Sequence, residues 1–192
     1  MNRRLVVREL LAERGDLVCV SGLGAATWDV AAAGGHPLDV PLWGAMGGAA
    51  MVGLGLALAQ PSRRVLVLTG DGEQLMGLGS LATIGLQQPA NLALVVLDNE
   101  RYGETGSQPT HTAGPIDLAA CARACGIADA RTVTAESDLP ALRSAIHALT
   151  APLVAVCKID AAPEELVLPP RDGSTIATRF RDALLGPDMA AE

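Results

Sequence analysis

Apolar positions along the chain fall into short, nearly unbroken runs, separated by longer stretches in which apolar residues recur with a helical period. The runs are Leu17 to Ser21, Val65 to Thr69, Leu92 to Asp98 and Leu153 to Ile159. Continuous rather than alternating hydrophobicity over so few residues predicts strands buried on both faces of a parallel sheet. A weaker run, Ala130 to Val133, predicts a further strand. The intervening stretches predict helices over Ala45 to Gln60, Leu75 to Leu86, Asp117 to Cys125 and Leu139 to Leu149, with Gly126 as a helix stop and Ser137 as an N-cap. Strand and helix in alternation predict an α/β three-layer sandwich, a mostly parallel sheet with helices on both faces and right-handed crossovers.

Beyond Ile159 the pattern changes: Pro163, Pro169 and Pro170 precede a last predicted helix, Thr175 to Leu185. The segment 161–192 reads as an arm that packs on the domain or on a partner. A chain of 192 residues is long enough for one well-buried core and short for two, so residues 1–192 are expected to form a single domain carrying that arm.

Composition narrows the picture. Nearly half the residues are apolar, yet only two Trp, one Tyr and one Phe are present, so the interior must be filled by Ala, Val, Leu and Gly at close backbone approach. The net charge is −7 and basic residues adjoin only as the pairs Arg3-Arg4 and Arg63-Arg64, which argues against nucleic acid as a partner. Cys19, Cys121, Cys125 and Cys157 form no metal- or redox-type pair, and a reducing, cytoplasmic setting fits them. The amphipathic start, Met1 to Arg14, lacks the apolar run and cleavage site of an export signal. Leu42 to Ala59 is uncharged and approaches membrane-spanning length, but its five glycines and the adjoining strand and helix pattern place it in an α/β interior, with no membrane contact expected.

Candidate chemistry sits at two strand ends. Thr69-Gly70-Asp71-Gly72 closes one strand and opens a helix, so the carboxylate and the free N–H groups of the first turn face the same anion. The next strand ends in Asp98-Asn99-Glu100-Arg101-Tyr102-Gly103. Adjacent parallel strands bring such ends together, so Asp71 and Asn99 could share one magnesium or calcium ion whose shell phosphate oxygens complete. Either residue alone is an ordinary turn former. Gly22-Leu23-Gly24 also follows a strand, but Thr27 stands where a nicotinamide fingerprint needs its third glycine. His36 and His147 read as surface or helix residues.

Gly70-Asp71-Gly72, Asn91 and Asp98-Asn99 together resemble the signature of thiamine-diphosphate enzymes over nearly the whole chain. Gly44-Ala45-Met46-Gly47, Gly70 to Met76, Gly79-Ser80-Leu81-Ala82-Thr83 and Thr105-Gly106-Ser107-Gln108-Pro109-Thr110 are most similar to the β subunit of sulfopyruvate decarboxylases and the matching part of phosphonopyruvate decarboxylases. The resemblance implies the thiamine-diphosphate-binding fold, thiamine diphosphate and Mg2+ as cofactors, and a carbon-carbon lyase that converts an anionic 2-oxoacid to an aldehyde and CO2. It implies that Asp71, the Asn99 side chain and the Arg101 carbonyl bind the metal, with Gly70 to Glu73, Tyr102 and Gly103 at the diphosphate. Met46 is the implied wedge between the cofactor rings, the carbonyl of Gly44, next to Ala45, the implied acceptor from the aminopyrimidine, and Arg101 and His111 the implied contacts to the substrate. Glu73 departs from the small or hydroxyl residue of many relatives, so its side chain must turn away or touch the ion. The activating glutamate of such enzymes lies in another domain, which implies a separate pyrimidine-binding α subunit in an α2β2 or larger hetero-oligomer. A carboligase resembling acetolactate synthase and a non-catalytic assembly subunit are the alternatives.

Overall fold

The structure, a computed structural model, describes residues 1–186. Six parallel strands form one sheet in the order β2-β1-β3-β4-β8-β7, with β1 Val18–Ser21, β2 Asp39–Pro41, β3 Val65–Gly70, β4 Leu92–Asp98, β7 Asp129–Val133 and β8 Leu153–Lys158. Two short antiparallel strands, β5 Arg101–Tyr102 and β6 Gln108–Pro109, make a separate hairpin. The helices are α1 Arg3–Leu10, α2 Ala25–Ala32, α3 Ala49–Ala59, α4 Asp71–Met76, α5 Ser80–Gln87, α6 Leu118–Ala124, α7 Leu139–His147 and α8 Gly173–Leu185. The three-layer expectation and all five predicted strands are therefore present.

The unbroken apolar runs are explained by the pleat. In β3, Leu66 and Leu68 join a core with α1, α2 and α7, while Val65 and Val67 join the opposite core with α3, α5, α6 and α8. Both faces are covered, so neither set of alternating positions can be polar. The scarcity of aromatics is met by close approach: a Cβ on Gly53 of α3 would lie 2.1 Å from Val67 Cγ2, and one on Gly85 of α5 would lie 1.8 Å from the Cys125 carbonyl oxygen.

Three sequence expectations need correction. The helix predicted from Ala45 begins only at Ala49, because Ala45 (φ 75°) and Gly47 (φ 89°) are left-handed and hold Met46 in a loop. The helix predicted over Leu75 to Leu86 is two, α4 and α5, broken at Gly77-Leu78-Gly79; a Cβ on Gly77 would meet the Gly47 carbonyl oxygen at 2.3 Å. Ser137 lies within a 3-10 turn, and Asp138 caps α7 instead. Gly126 (φ 88°) does stop α6, with Ile127 N–H donating to the Ala122 carbonyl. Helices α1 and α2 and strand β2 are additions to the expected elements. No helix of the described residues is long and apolar enough to cross a membrane.

The arm beyond β8 returns to the chain's own core. Phe180, Ala183 and Leu184 of α8 pack against the second core, Ile176 is buried, and Arg179 Nη2 donates to the Asp39 carbonyl at 2.8 Å, covering edge strand β2. Residues 187–192 of the expected arm lie outside the described residues. Arg14 Nη1 reaches Asp39 Oδ1 at 2.6 Å, and the His36 N–H reaches Asp39 Oδ2 at 2.7 Å.

His36 Nδ1 in turn accepts from the Leu38 N–H at 3.2 Å. Burial, then the Arg14 charge, holds the His36 pKa below its ordinary 6.5, with Arg179 acting the same way and Asp39 opposing. A histidine with a lowered folded pKa binds fewer protons in the native than in the unfolded state, so the stability it contributes is present above pH 6.5 and lost as pH falls through that value. Urea midpoints measured across this range should decline toward acid for the native chain and decline less for His36→Asn.

Candidate active site

The order β2-β1-β3 sets where ligands can bind. The chain leaves β1 through α2 for β2, then returns through α3 to β3 on the other side of β1, so helices depart to opposite faces between β1 and β3. Crevices at the carboxyl ends of strands at such a switch point are where open α/β sheets bind ligands. Here a cleft of about 570 Å3 opens, and Met46, Gly70, Asp71, Gly72, Glu73, Asn99, Arg101, Tyr102 and Gly103 all line it. Nine of the twelve site residues named from sequence thus share one cleft.

Register explains the meeting of Asp71 and Asn99. Gly70 of β3 pairs with Leu97 of β4, so continuing the strands by one residue sets Asp71 beside Asp98 and leaves Asn99 one step beyond. Asp71 is buried, its Oδ2 accepting from Thr110 Oγ1 at 2.5 Å, with Thr112 Oγ1 3.3 Å away. No side chain among the described residues bonds Oδ1. Burial first, and the Asp98 charge in addition, push the Asp71 pKa above its ordinary value against the pull of Thr110. Asp98 has no such vacancy: Oδ1 accepts from Thr112 Oγ1 at 2.8 Å and the Glu100 N–H at 3.0 Å, and Oδ2 from Lys158 Nζ at 2.9 Å. Asn99 Oδ1 accepts from the Arg101 N–H at 3.0 Å and keeps its second lone pair.

Glu73 resolves the departure noted in the sequence. Its side chain turns inward, buried, with Oε2 accepting from Thr69 Oγ1 at 2.8 Å. A Cβ on Gly22 would lie 1.7 Å from that oxygen, so the missing side chain at Gly22 is what lets the glutamate fold under β1. Oε1 has no hydrogen-bond partner among the described residues. Burial raises the Glu73 pKa, opposed by Thr69 and by backbone N–H groups of Gly47, Ala49 and Leu23. With its carboxylate withdrawn, the uncapped first turn of α4 presents its N–H groups to the cleft.

Gly72 is fixed by its neighbours, since a Cβ there would lie 2.6 Å from Tyr102 Cε1. Tyr102 OH meets His111 Nδ1 at 3.4 Å, and exposed His111 is not among the residues lining the cleft. Gly44 and Ala45 line a second, apolar groove of about 460 Å3 against α8, where Trp43 Nε1 donates to the Pro170 carbonyl at 2.9 Å. Exposed Arg101 donates to the Ser107 carbonyl at 3.3 Å.

Sequence reasoning missed several cleft residues. Arg3 is held by Asp29 at 3.1 Å on one wall, and Asp160 to Glu164 of the arm line another. Thr112, Lys158 and the role of Thr110 were also missed. The Thr-His-Thr sequence, two hydroxyls two residues apart at the start of a 3-10 turn, was the available signal.

An oxygen donor set of one carboxylate and one amide suits a hard divalent cation but is too small to hold one alone. Among the described residues no group of three or more His, Cys, Asp or Glu side chains could hold a metal. Phosphate oxygens and waters would complete the shell, and Gly70 to Glu73, at the uncapped start of α4, line the cleft beside that pair. The residues present therefore fit a magnesium-bound diphosphate.

Residues 16–157 match the family described as thiamine pyrophosphate enzyme, C-terminal TPP binding domain. The chain is 38% identical over 133 residues to the sulfopyruvate decarboxylase subunit beta of Methanocaldococcus jannaschii, a match covering 69% of each chain. It is 45% identical over 111 residues to the corresponding subunit of Methanothermobacter thermautotrophicus, 58% of this chain and 59% of that one. It is also 38% identical over 181 residues to the phosphonopyruvate decarboxylase of Streptomyces viridochromogenes, covering 93% of this chain but only 45% of that protein. A solved structure described as a thiamin diphosphate-dependent enzyme from Mycobacterium smegmatis superposes with a TM-score of 0.68 at 23% identity, over 84% of this chain and 32% of that one, a likeness of fold.

Gly72→Ala should destabilise the chain by about 1–3 kcal/mol, the usual range for overpacking. Pairing it with Tyr102→Leu should recover most of that loss in a thermal melt, because the clash is with the ring edge.

Proposed function

The chain belongs to the thiamine pyrophosphate enzymes, whose C-terminal TPP-binding domain it contains, and from this membership we propose that it is the diphosphate-binding subunit of a magnesium-dependent 2-oxoacid decarboxylase. The observation that carries the reading is the meeting of Asp71 and Asn99 at adjacent strand tips, on one cleft with Met46, Gly72 and the open turn of α4. In this reading Asp71 Oδ1 and Asn99 Oδ1 hold Mg2+, with the Arg101 carbonyl as the backbone ligand. The N–H groups of Gly72 and Glu73 hold the diphosphate. Met46, in its left-handed loop, would support the cofactor rings, and the carbonyl of Gly44, which lines the second groove, would accept from the aminopyrimidine.

Thiamine diphosphate, when bound, supplies an electron sink for the carbanion left as CO2 departs from the substrate. The chain's own residues orient and enclose. Tyr102, packed on Gly72, closes the diphosphate end against water. Arg101, on the exposed hairpin at the mouth, is the cation placed to meet an anionic group on the substrate, with His111 behind Tyr102. The names of the relatives support 3-sulfopyruvate or 3-phosphonopyruvate as that substrate. Met46 is 37% exposed at the mouth, which supports a second polypeptide, a pyrimidine-binding α subunit, finishing the site and supplying the activating glutamate.

The test is aldehyde and CO2 release from 3-sulfopyruvate and 3-phosphonopyruvate by the chain co-expressed with a pyrimidine-domain partner, with thiamine diphosphate and Mg2+. Turnover on one of the two is expected, and no turnover on either, or acetolactate formed from pyruvate instead, would overturn the reading. Asp71→Asn should lower kcat/KM by about a hundredfold or more, since even outer-shell partners of a metal ligand are worth about 10–100-fold.

A further inference from the structure

We propose that Thr110 and Thr112 are positioning residues that hold Asp71 as a one-oxygen ligand, and so set the site's preference for Mg2+ over Ca2+; this rests on the cofactor reading above. Both threonines are buried, at the root of the hairpin formed by β5 and β6. The Thr110 N–H donates to the Glu100 carbonyl at 3.0 Å, which ties the root of the hairpin to the β4 tip. Each hydroxyl carries one proton. The Thr110 proton goes to Asp71 Oδ2 at 2.5 Å, and the Thr112 proton goes to Asp98 Oδ1 at 2.8 Å, with the two hydroxyl oxygens 2.9 Å apart.

The two hydroxyls therefore bridge neighbouring carboxylates and treat them differently. Asp98 is saturated by Thr112, the Glu100 N–H and Lys158, so it is an anchor and not a ligand. Asp71 has one oxygen engaged and one left for the cleft. To use both Asp71 oxygens an ion must draw Oδ2 off the Thr110 hydroxyl, so it gains the second oxygen only by giving up that hydrogen bond. Mg2+ takes six ligands at near-ideal octahedral geometry, whereas Ca2+ takes six to eight and readily uses both oxygens of a carboxylate. Pinning Oδ2 thus penalises the ion that would use it.

The test is calorimetric titration of MgCl2 and of CaCl2 into the full chain co-expressed with its pyrimidine-domain partner, at saturating thiamine diphosphate, comparing native, Thr110→Val, Thr110→Ser and Thr112→Val. Valine keeps the shape of threonine and removes the proton. Thr110→Val should move the ratio of Ca2+ to Mg2+ dissociation constants toward Ca2+ by fivefold or more; Thr110→Ser should keep the native ratio. Thr112→Val, which leaves the Thr110 bond in place, should shift it in the same direction by less, and it carries the test if Thr110→Val does not fold. An unchanged ratio in a folded valine variant overturns the proposal and leaves the cofactor reading standing. Failure of the native chain to bind either ion with the cofactor overturns both.

Discussion

Parallel pairing of β3 with β4 in a single register is the constraint on which the rest of the site depends. With Gly70 opposite Leu97, the chain leaves both strands at the same height, and the residues just past each tip become neighbours although they are far apart in sequence. A slip of one residue would exchange Leu66 and Leu68 with Val65 and Val67 between two cores packed for different side chains, so the register is enforced by packing rather than by the site. The same sheet places the switch point beside these tips, between β1 and β3. The nearness of Asp71 and Asn99 and the crevice beside them are thus consequences of one pattern of strand pairing.

The polar end of the sheet is held in the opposite manner. Asp71, Asp98 and Glu73 are all buried within a few residues of one another in space or sequence, where isolated charge is costly. The structure offsets that cost piecemeal: Lys158 for Asp98, threonine hydroxyls for Asp71 and Asp98, and Thr69 with nearby N–H groups for Glu73. What is left over is an Asp71 oxygen that no side chain among the described residues bonds, and a pKa that burial raises at that residue. Left-handed non-glycine residues gather in the same loops, at Ala45, Glu100 and Ser107, so local backbone strain is concentrated where side chains must be aimed.

Close packing of small residues makes these loops possible. Gly77 against Gly47 sets the α4–α5 break directly beside the Met46 loop, and Gly22 gives way to the Glu73 side chain. Larger residues at either contact would separate Leu23 after β1, the Met46 loop and the first turn of α4, which line one cleft. The poverty in aromatics, which composition shows at once, is the other side of this arrangement.

The sequence by itself determined the class of fold, because unbroken apolar runs can be satisfied only by strands covered on both faces, and every such run became a strand. It also determined which residue types stand at the strand ends, since glycine, aspartate and asparagine there leave few other roles. Helix boundaries were less legible: the start of α3 and the break between α4 and α5 depend on Gly47 meeting Gly77, a contact between segments that no local pattern announces. Tertiary structure alone decided that Asp71 and not Asp98 keeps a free oxygen, that Glu73 folds inward, and that His111 lies outside the cleft while Arg3 and Asp160 to Glu164 line it. The physical reason is the same in each case. Periodicity records how a residue faces its own element, whereas hydrogen-bond partners and cleft walls are set by residues brought together only when the sheet closes.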